Sequence, residues 1–125
     1  MAAKRVLLID DEDDIREVAQ LCLQIVGNYE VVTASSGAEG IQRAAANQPD
    51  AILLDVMMPG MDGPTTFKGL RANPATRHIP VIMFTAKALD LASDERALEG
   101  LSVISKPFDP MQLAGQVASA LGWCA

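Results

Sequence analysis

The sequence predicts one α/β domain in which a parallel sheet is covered by helices on both faces. Three features predict it. Short continuous apolar runs, Val6–Ile9, Ala51–Leu54 and Val81–Phe84, are those of strands buried on both sides. They alternate with longer segments whose apolar residues recur every three or four positions, the period of an amphipathic helix. No long linker or internal repeat interrupts the alternation, which leaves a helix-covered parallel sheet as the economical arrangement.

Each element has its own signal. Val6, Leu7, Leu8 and Ile9 form the first strand, which ends in Asp10 and Asp11. Ile15, Val18, Ala19, Cys22, Ile25 and Val26 give the first helix one apolar face, and Gly27 with Asn28 stops it. Tyr29 to Thr33 reads as the second strand. Ser35, Ser36 and Gly37 then cap a helix that runs through Ile41 to about Asn47 and is closed by Pro49. The third strand, from Ala51, ends in Asp55 and meets a loop with Pro59, Gly60, Asp62, Gly63 and Pro64. A third helix carries Phe67 and Leu70. The fourth strand, from Val81, ends in Thr85, and Ala88, Leu89, Leu91, Ala92 and Leu98 mark a fourth helix. Val103 and Ile104 make a short fifth strand that ends near Lys106 and Pro107. Asp109 and Pro110, as N-cap and first helical residue, open a last helix through Leu113, Val117 and Leu121.

At 125 residues the chain fits a single domain spanning 1–125, with no room for a second catalytic or DNA-binding unit. The formal charge of −6, without a basic run, argues against nucleic acid, whose binding needs clustered Lys and Arg. Cys22 and Cys124 form neither a metal spacing nor a disulfide framework, and no disulfide is expected. Without a signal-peptide pattern or an apolar run of the ~20 residues that cross a bilayer, the expected location is cytoplasmic, away from membranes. His78, between Arg77 and Ile79, reads as a surface loop residue. The charges of Asp13 and Asp14 favour the start of the first helix, and Glu12 stands between that role and the site's.

In such a sheet ligands bind beyond the carboxyl ends of the strands. Four of the five ends carry polar residues suited to chemistry: Asp10 and Asp11, Asp55, Thr85 and Lys106. Two carboxylates about 4 Å apart repel by roughly 4 kcal/mol at an effective dielectric of ~20, so the cluster calls for positive charge. A hard divalent cation supplies it; Mg²⁺ takes one or two carboxylates, waters and a substrate phosphate, and Lys106 adds a second cation. Asp55, alone at the end of a buried strand, is the candidate nucleophile for a phosphoryl group. Asp10 and Asp11 are paired like metal ligands.

Four segments together resemble the receiver domains of two-component response regulators: Val6-Leu7-Leu8-Ile9-Asp10-Asp11-Glu12, Asp55-Val56-Met57-Met58-Pro59-Gly60-Met61-Asp62-Gly63, Thr85-Ala86 and Lys106-Pro107-Phe108. They cover nearly the whole chain in the family's order. The resemblance implies a flavodoxin-like (βα)5 doubly wound sheet of order 2-1-3-4-5, an order for which a member of this family is a standard example. It implies Asp55 as phosphoacceptor, and Asp10, Asp11, Asp55 and the backbone carbonyl of Met57 as Mg²⁺ ligands, Asp11 directly and Asp10 partly through water. Thr85 is the implied hydroxyl and Lys106 the implied ammonium that meet the phosphoryl oxygens, and Lys106-Pro107 the implied cis peptide. Val103 departs from the pattern, because the family often has Tyr or Phe there.

The implied function is a phosphorylation-controlled signalling module rather than an enzyme with its own substrate. Its donor is a histidine kinase or histidine phosphotransfer protein, and its output is changed binding to a downstream protein. Two other classes are open to the same residues. A phosphorylation-independent scaffold normally follows from loss of an acid, the acceptor or the Lys, and none is lost. An Asp-nucleophile phosphohydrolase resembling haloacid dehalogenases places its nucleophile in an Asp-x-Asp motif after the first strand and needs a cap over the substrate, whereas here the isolated acceptor follows the third strand and no cap insertion is found.

Overall fold

Five strands, β1 (Arg5–Ile9), β2 (Glu30–Ala34), β3 (Ala51–Asp55), β4 (Val81–Thr85) and β5 (Ser102–Ser105), form one parallel sheet in the computed structural model. The structure describes residues 4–55, 63–85, 102–105 and 111–122. The order across the sheet is β2-β1-β3-β4-β5, the order the resemblance implies. Between the strands lie α1 (Asp13–Ile25), α2 (Gly37–Asn47) and α3 (Gly63–Ala72), and Leu113–Leu121 forms α4. The predicted helix around 88–98 and the segments holding Lys106-Pro107 and Asp109-Pro110 lie outside the described residues; regular helix in α4 begins at Leu113.

The period of two along each strand divides the apolar residues between two cores. Leu7, Ile9, Ile52, Leu54, Val81 and Met83 face one core, closed by Ala44 and half-buried Ile41 of α2 and by Leu70 and half-buried Phe67 of α3. Val6, Leu8, Leu53, Ile82, Phe84 and Ile104 face the other, closed by Ala19 and Leu23 of α1 and by Leu113, Ala114 and Val117 of α4. Continuous apolar runs in the sequence are thus continuous because both faces are covered.

One boundary and one helix face differ from expectation. Tyr29, read as the first residue of the second strand, lies just before β2, packs against the α1/α4 core and donates its hydroxyl to Ala114 O at 3.4 Å. The buried stripe of α1 is Ala19 and Leu23, with Ile15 and Cys22 half-buried, whereas Val18, Ile25 and Val26 are exposed. Periodicity marks an apolar sector, but the sheet and α4 cover only one flank of it, and Leu21 joins the uncovered flank. Cys22 carries a free thiol, and His78 is exposed as expected.

The edge of the sheet where the strands begin is closely bonded. The Arg5 amide donates to Asp50 Oδ2 at 2.8 Å, and its guanidinium donates to Asn47 O at 2.6 Å and pairs with Glu30 at 3.2 Å. Gln48 ends α2 in the left-handed region, at φ 47°, and its Nε2 donates to Ala75 O at 2.9 Å across to the loop after α3. Arg71 Nη1 donates to Arg77 O at 2.8 Å and Ile79 O at 2.9 Å, with the guanidinium 4.7 Å from the Phe67 ring centre.

Helix α2 is closely seated. A Cβ on Gly40 would overlap Ile9 Cδ1 and come within 2.8 Å of Ile9 Cγ1, and Ile9 is fully buried in a central strand, so its side chain would have to shift within packed surroundings. At its start Ser36 Oγ accepts from the Glu39 amide at 3.1 Å, while Glu39 Oε1 accepts from the Ser35 amide at 2.6 Å. That backbone bond from Ser35 holds the Glu39 carboxyl below the usual glutamate range.

Two outcomes follow for urea unfolding. Gly40→Ala is expected to destabilise by up to about 2 kcal/mol, because overpacking of ~1–3 kcal/mol outweighs the ~1 kcal/mol gain in helix propensity. Adding Ile9→Val, which removes the obstructing methyl, should make the pair less destabilised than the sum of the singles, and strict additivity would refute the contact. Ser36→Ala is expected to lose about 1 kcal/mol near neutral pH. A lowered folded pKa stabilises above the unfolded value and stops doing so as pH falls through the folded one. The acid-side fall in stability should therefore be shallower in Glu39→Gln than in wild type, and identical pH profiles would remove Glu39 from the cap.

Candidate functional site

Register decides what meets at the other edge of the sheet. Ile9 of β1 is paired with Leu54 of β3, so the next residues along, Asp10 and Asp55, leave the two central strands side by side. They are 0% and 1% exposed. This crevice is where the connections reverse, with β1 running out to β2 and the chain returning to β3 on the other side of β1.

The turn from β1 into α1 is held at several points. The Asp10 amide donates to Ala34 O at 3.1 Å, and Asp10 Oδ1 accepts from the Glu12 amide at 2.9 Å. Glu12 is the N-cap of α1 in extended conformation, without a side-chain capping bond. Asp13 and Asp14 are exposed in the first turn, the helix-start role expected of them.

The structure brings Asp10, Asp11, Glu12 and Asp55 together, each offering a carboxylate oxygen, with these oxygens all within 4.8 Å of one another. Glu12, which the sequence leaves between a helix-start charge and the site, thus joins the acidic group. For the buried pair Asp10 and Asp55, such a spacing implies a repulsion of roughly 3–4 kcal/mol at an effective dielectric of ~20. Asp11 Oδ1 is sealed from solvent and accepts no hydrogen bond from the described residues. Asp55 Oδ2 also takes no hydrogen bond there, while the Asp55 residue is held through other contacts.

An all-oxygen donor set around a sealed, unsatisfied carboxylate oxygen is what a hard divalent cation requires. The set fits magnesium, a hard cation that takes one or two carboxylates and keeps waters and a phosphate among its ligands.

The other expected site residues are partly in view. Thr85 is the last residue of β4, one beyond Phe84, which pairs with Asp55; its backbone is level with Ser105 of β5. Lys106 is the next residue in the chain after Ser105, and both it and Met57 lie outside the described residues. Val103 is in β5, paired with Met83.

A family model for the response regulator receiver domain matches residues 6–118. Response regulator PleD of Caulobacter vibrioides is 43% identical over 122 residues, which are 92% of this chain and 25% of PleD. The alkaline phosphatase synthesis transcriptional regulatory protein PhoP of Bacillus subtilis is 35% identical over 126 residues, 94% of this chain and 48% of that protein. The chain therefore spans a quarter of one relative's length and about half of the other's. Among solved structures, the Vibrio cholerae chemotaxis protein CheY4 matches with a TM-score of 0.86 at 30% identity, covering 95% of this chain and 99% of that one. The receiver domain of sensor histidine kinase PA1611 from Pseudomonas aeruginosa, described with a magnesium ion coordinated in its active-site cleft, matches at 0.84 and 28% identity, covering 97% and 99%. With the family pattern running from β1 into α4, and with close structural likeness over almost the whole chain, this protein belongs to the receiver domains of two-component response regulators.

Proposed function

We propose that Asp55 accepts a phosphoryl group, with Asp10, Asp11, Asp55 and the Met57 carbonyl holding Mg²⁺, and that residues 1–125 act as one receiver unit. The meeting of Asp10, Asp11 and Asp55 carries this reading, with Asp11 Oδ1 buried and unsatisfied beside them. Bound magnesium would supply positive charge to the carboxylates and to the phosphoryl oxygens.

The chain's own part is positioning. An Asp55 carboxylate oxygen attacks phosphorus as the donor's P–N bond breaks, and the bonding electron pair stays on the departing imidazole nitrogen. The product is an acyl phosphate on Asp55. Burial at the end of a central strand fixes the carboxylate and limits competing water. Thr85 ends the neighbouring strand on the side away from Asp10, and Lys106 follows the strand beyond it, so each suits the role of meeting phosphoryl oxygens.

The donor is a histidine kinase or histidine phosphotransfer protein, and a downstream protein reads the phosphorylated state. The chain modifies itself rather than turning over a separate substrate. The charge of −6, without a basic run, favours protein partners over nucleic acid. Among the described residues no helix is long and apolar enough to cross a membrane, and the cytoplasm, where such donors present their phosphohistidine, is its proposed place.

Two outcomes test this. Acetyl phosphate with Mg²⁺ is expected to add one phosphoryl group by intact mass, with no addition to Asp55→Asn; equal labelling of the variant would move the acceptor elsewhere. Asp11→Asn is expected to bind Mg²⁺ more weakly by tenfold or more, on the order seen when metal-site partners are lost. In metal-free buffer the same variant should melt higher than wild type, because one of the crowded charges is gone. A lower melting point together with unchanged Mg²⁺ affinity would show that Asp11 serves the fold rather than the metal.

A further inference from the structure

The turn that carries the acidic group is also held by a side chain from within α1. Arg16 Nη1 donates to the backbone carbonyl of Asp10 at 2.8 Å, and Nη2 donates to Asp13 Oδ1. The side chain is only 20% exposed, against 85% for Asp13. Its fork therefore spans the turn, with one arm on the peptide that joins Asp10 to Asp11 and the other on the first turn of α1.

From this geometry we infer that Arg16 is a positioning residue for the magnesium site, an inference that rests on the function proposed above. Arg16 fixes the Asp10–Asp11 peptide, and the direction of that peptide sets where the Asp11 carboxylate points. The Asp10 amide to Ala34 O and the Glu12 amide to Asp10 Oδ1 hold the peptides on either side, and the guanidinium holds the one between them. Its two guanidinium bonds go to the Asp10 carbonyl and to Asp13, not to carboxylate oxygens of the acidic group, so Arg16 orders the group without occupying a ligand atom. Two N–H donors in one plane, aimed at acceptors on two different residues, are a property of Arg that Lys does not share.

Charge and position predict opposite results, which makes the inference testable. Acting only as a nearby positive charge, Arg16 would repel a divalent cation, and its removal would tighten binding. Acting by position, its removal lets the Asp10–Asp11 peptide rotate, and binding weakens.

The experiment is calorimetric titration of the full chain with magnesium chloride, together with the rise in melting temperature caused by magnesium. Arg16→Ala is expected to weaken binding on the order of tenfold. Arg16→Lys keeps the charge and loses the fork, and is expected to weaken it too. Asp13→Asn retains the bond from Nη1 to Asp10 and should bind nearly as wild type does. A role in stability alone would lower the melting temperature with and without magnesium equally and leave the affinity unchanged, which would overturn the inference. Equal or tighter binding in Arg16→Ala would do the same, and if that variant does not fold, Arg16→Lys decides the matter. Wild-type protein that takes no magnesium would instead remove the metal-site reading on which the inference rests, whereas wild-type binding matched by Arg16→Lys would remove only the role of Arg16.

Discussion

The pairing of Ile9 with Leu54 in the two central strands is the constraint on which this molecule's chemistry depends. Parallel strands in fixed register end together, so Asp10 and Asp55, distant in the chain, emerge at neighbouring points. Both strands are buried on both faces, and a slip of one residue would exchange the residues of the two cores. The register is thus secured by apolar packing from α2 and α3 on one side and from α1 and α4 on the other. The acidic edge is a by-product of that packing, held in place by residues with no chemistry of their own.

Acidic crowding opposes the fold that creates it. Four carboxylates share a small volume, and the described atoms leave one oxygen of Asp11 without a hydrogen bond. The sheet tolerates this because its apolar strands are fully covered and because α2 sits directly on Ile9 at Gly40. Local bonds then distribute the strain: Ala34 holds the Asp10 amide, the Glu12 amide holds the Asp10 side chain, and Arg16 holds the Asp10 carbonyl. A receiver domain that takes up a cation relieves this opposition, which links metal binding to the stability of the fold.

Much of this was legible in the residues before any coordinates. Val6–Ile9, Ala51–Leu54 and Val81–Phe84 announce buried strands because unbroken apolar runs suit no half-exposed surface. Ser36 announces the start of α2, and Asp10, Asp11 and Asp55 announce a charged edge. The order of the strands was legible only through likeness to a family, since alternation of strands and helices fits more than one winding. Three particulars were hidden for physical reasons. The covered flank of α1 depends on where α4 lies, which periodicity does not encode. Glu12 stands in the sequence between a helix-start charge and a site residue, and its place in the acidic group follows from the tight turn at Asp10. The bond from Arg16 to a main-chain carbonyl leaves no mark in the sequence, because carbonyls belong to every residue alike.

Arg5, Gln48 and Arg71 bind the opposite edge of the sheet, where the strands begin. Their bonds tie the end of α2 to β1 and to the loop after α3, and the segment before β4 to α3, and none of these bonds reaches the four carboxylates. Among the described residues the bonds of one edge share no partners with those of the other, the condition under which changes at separate sites combine nearly additively. For an evolving lineage, the acidic end can be retuned for a different donor or a different phosphoryl lifetime while the scaffold is inherited intact. One architecture can in this way serve many separate signalling routes within a cell.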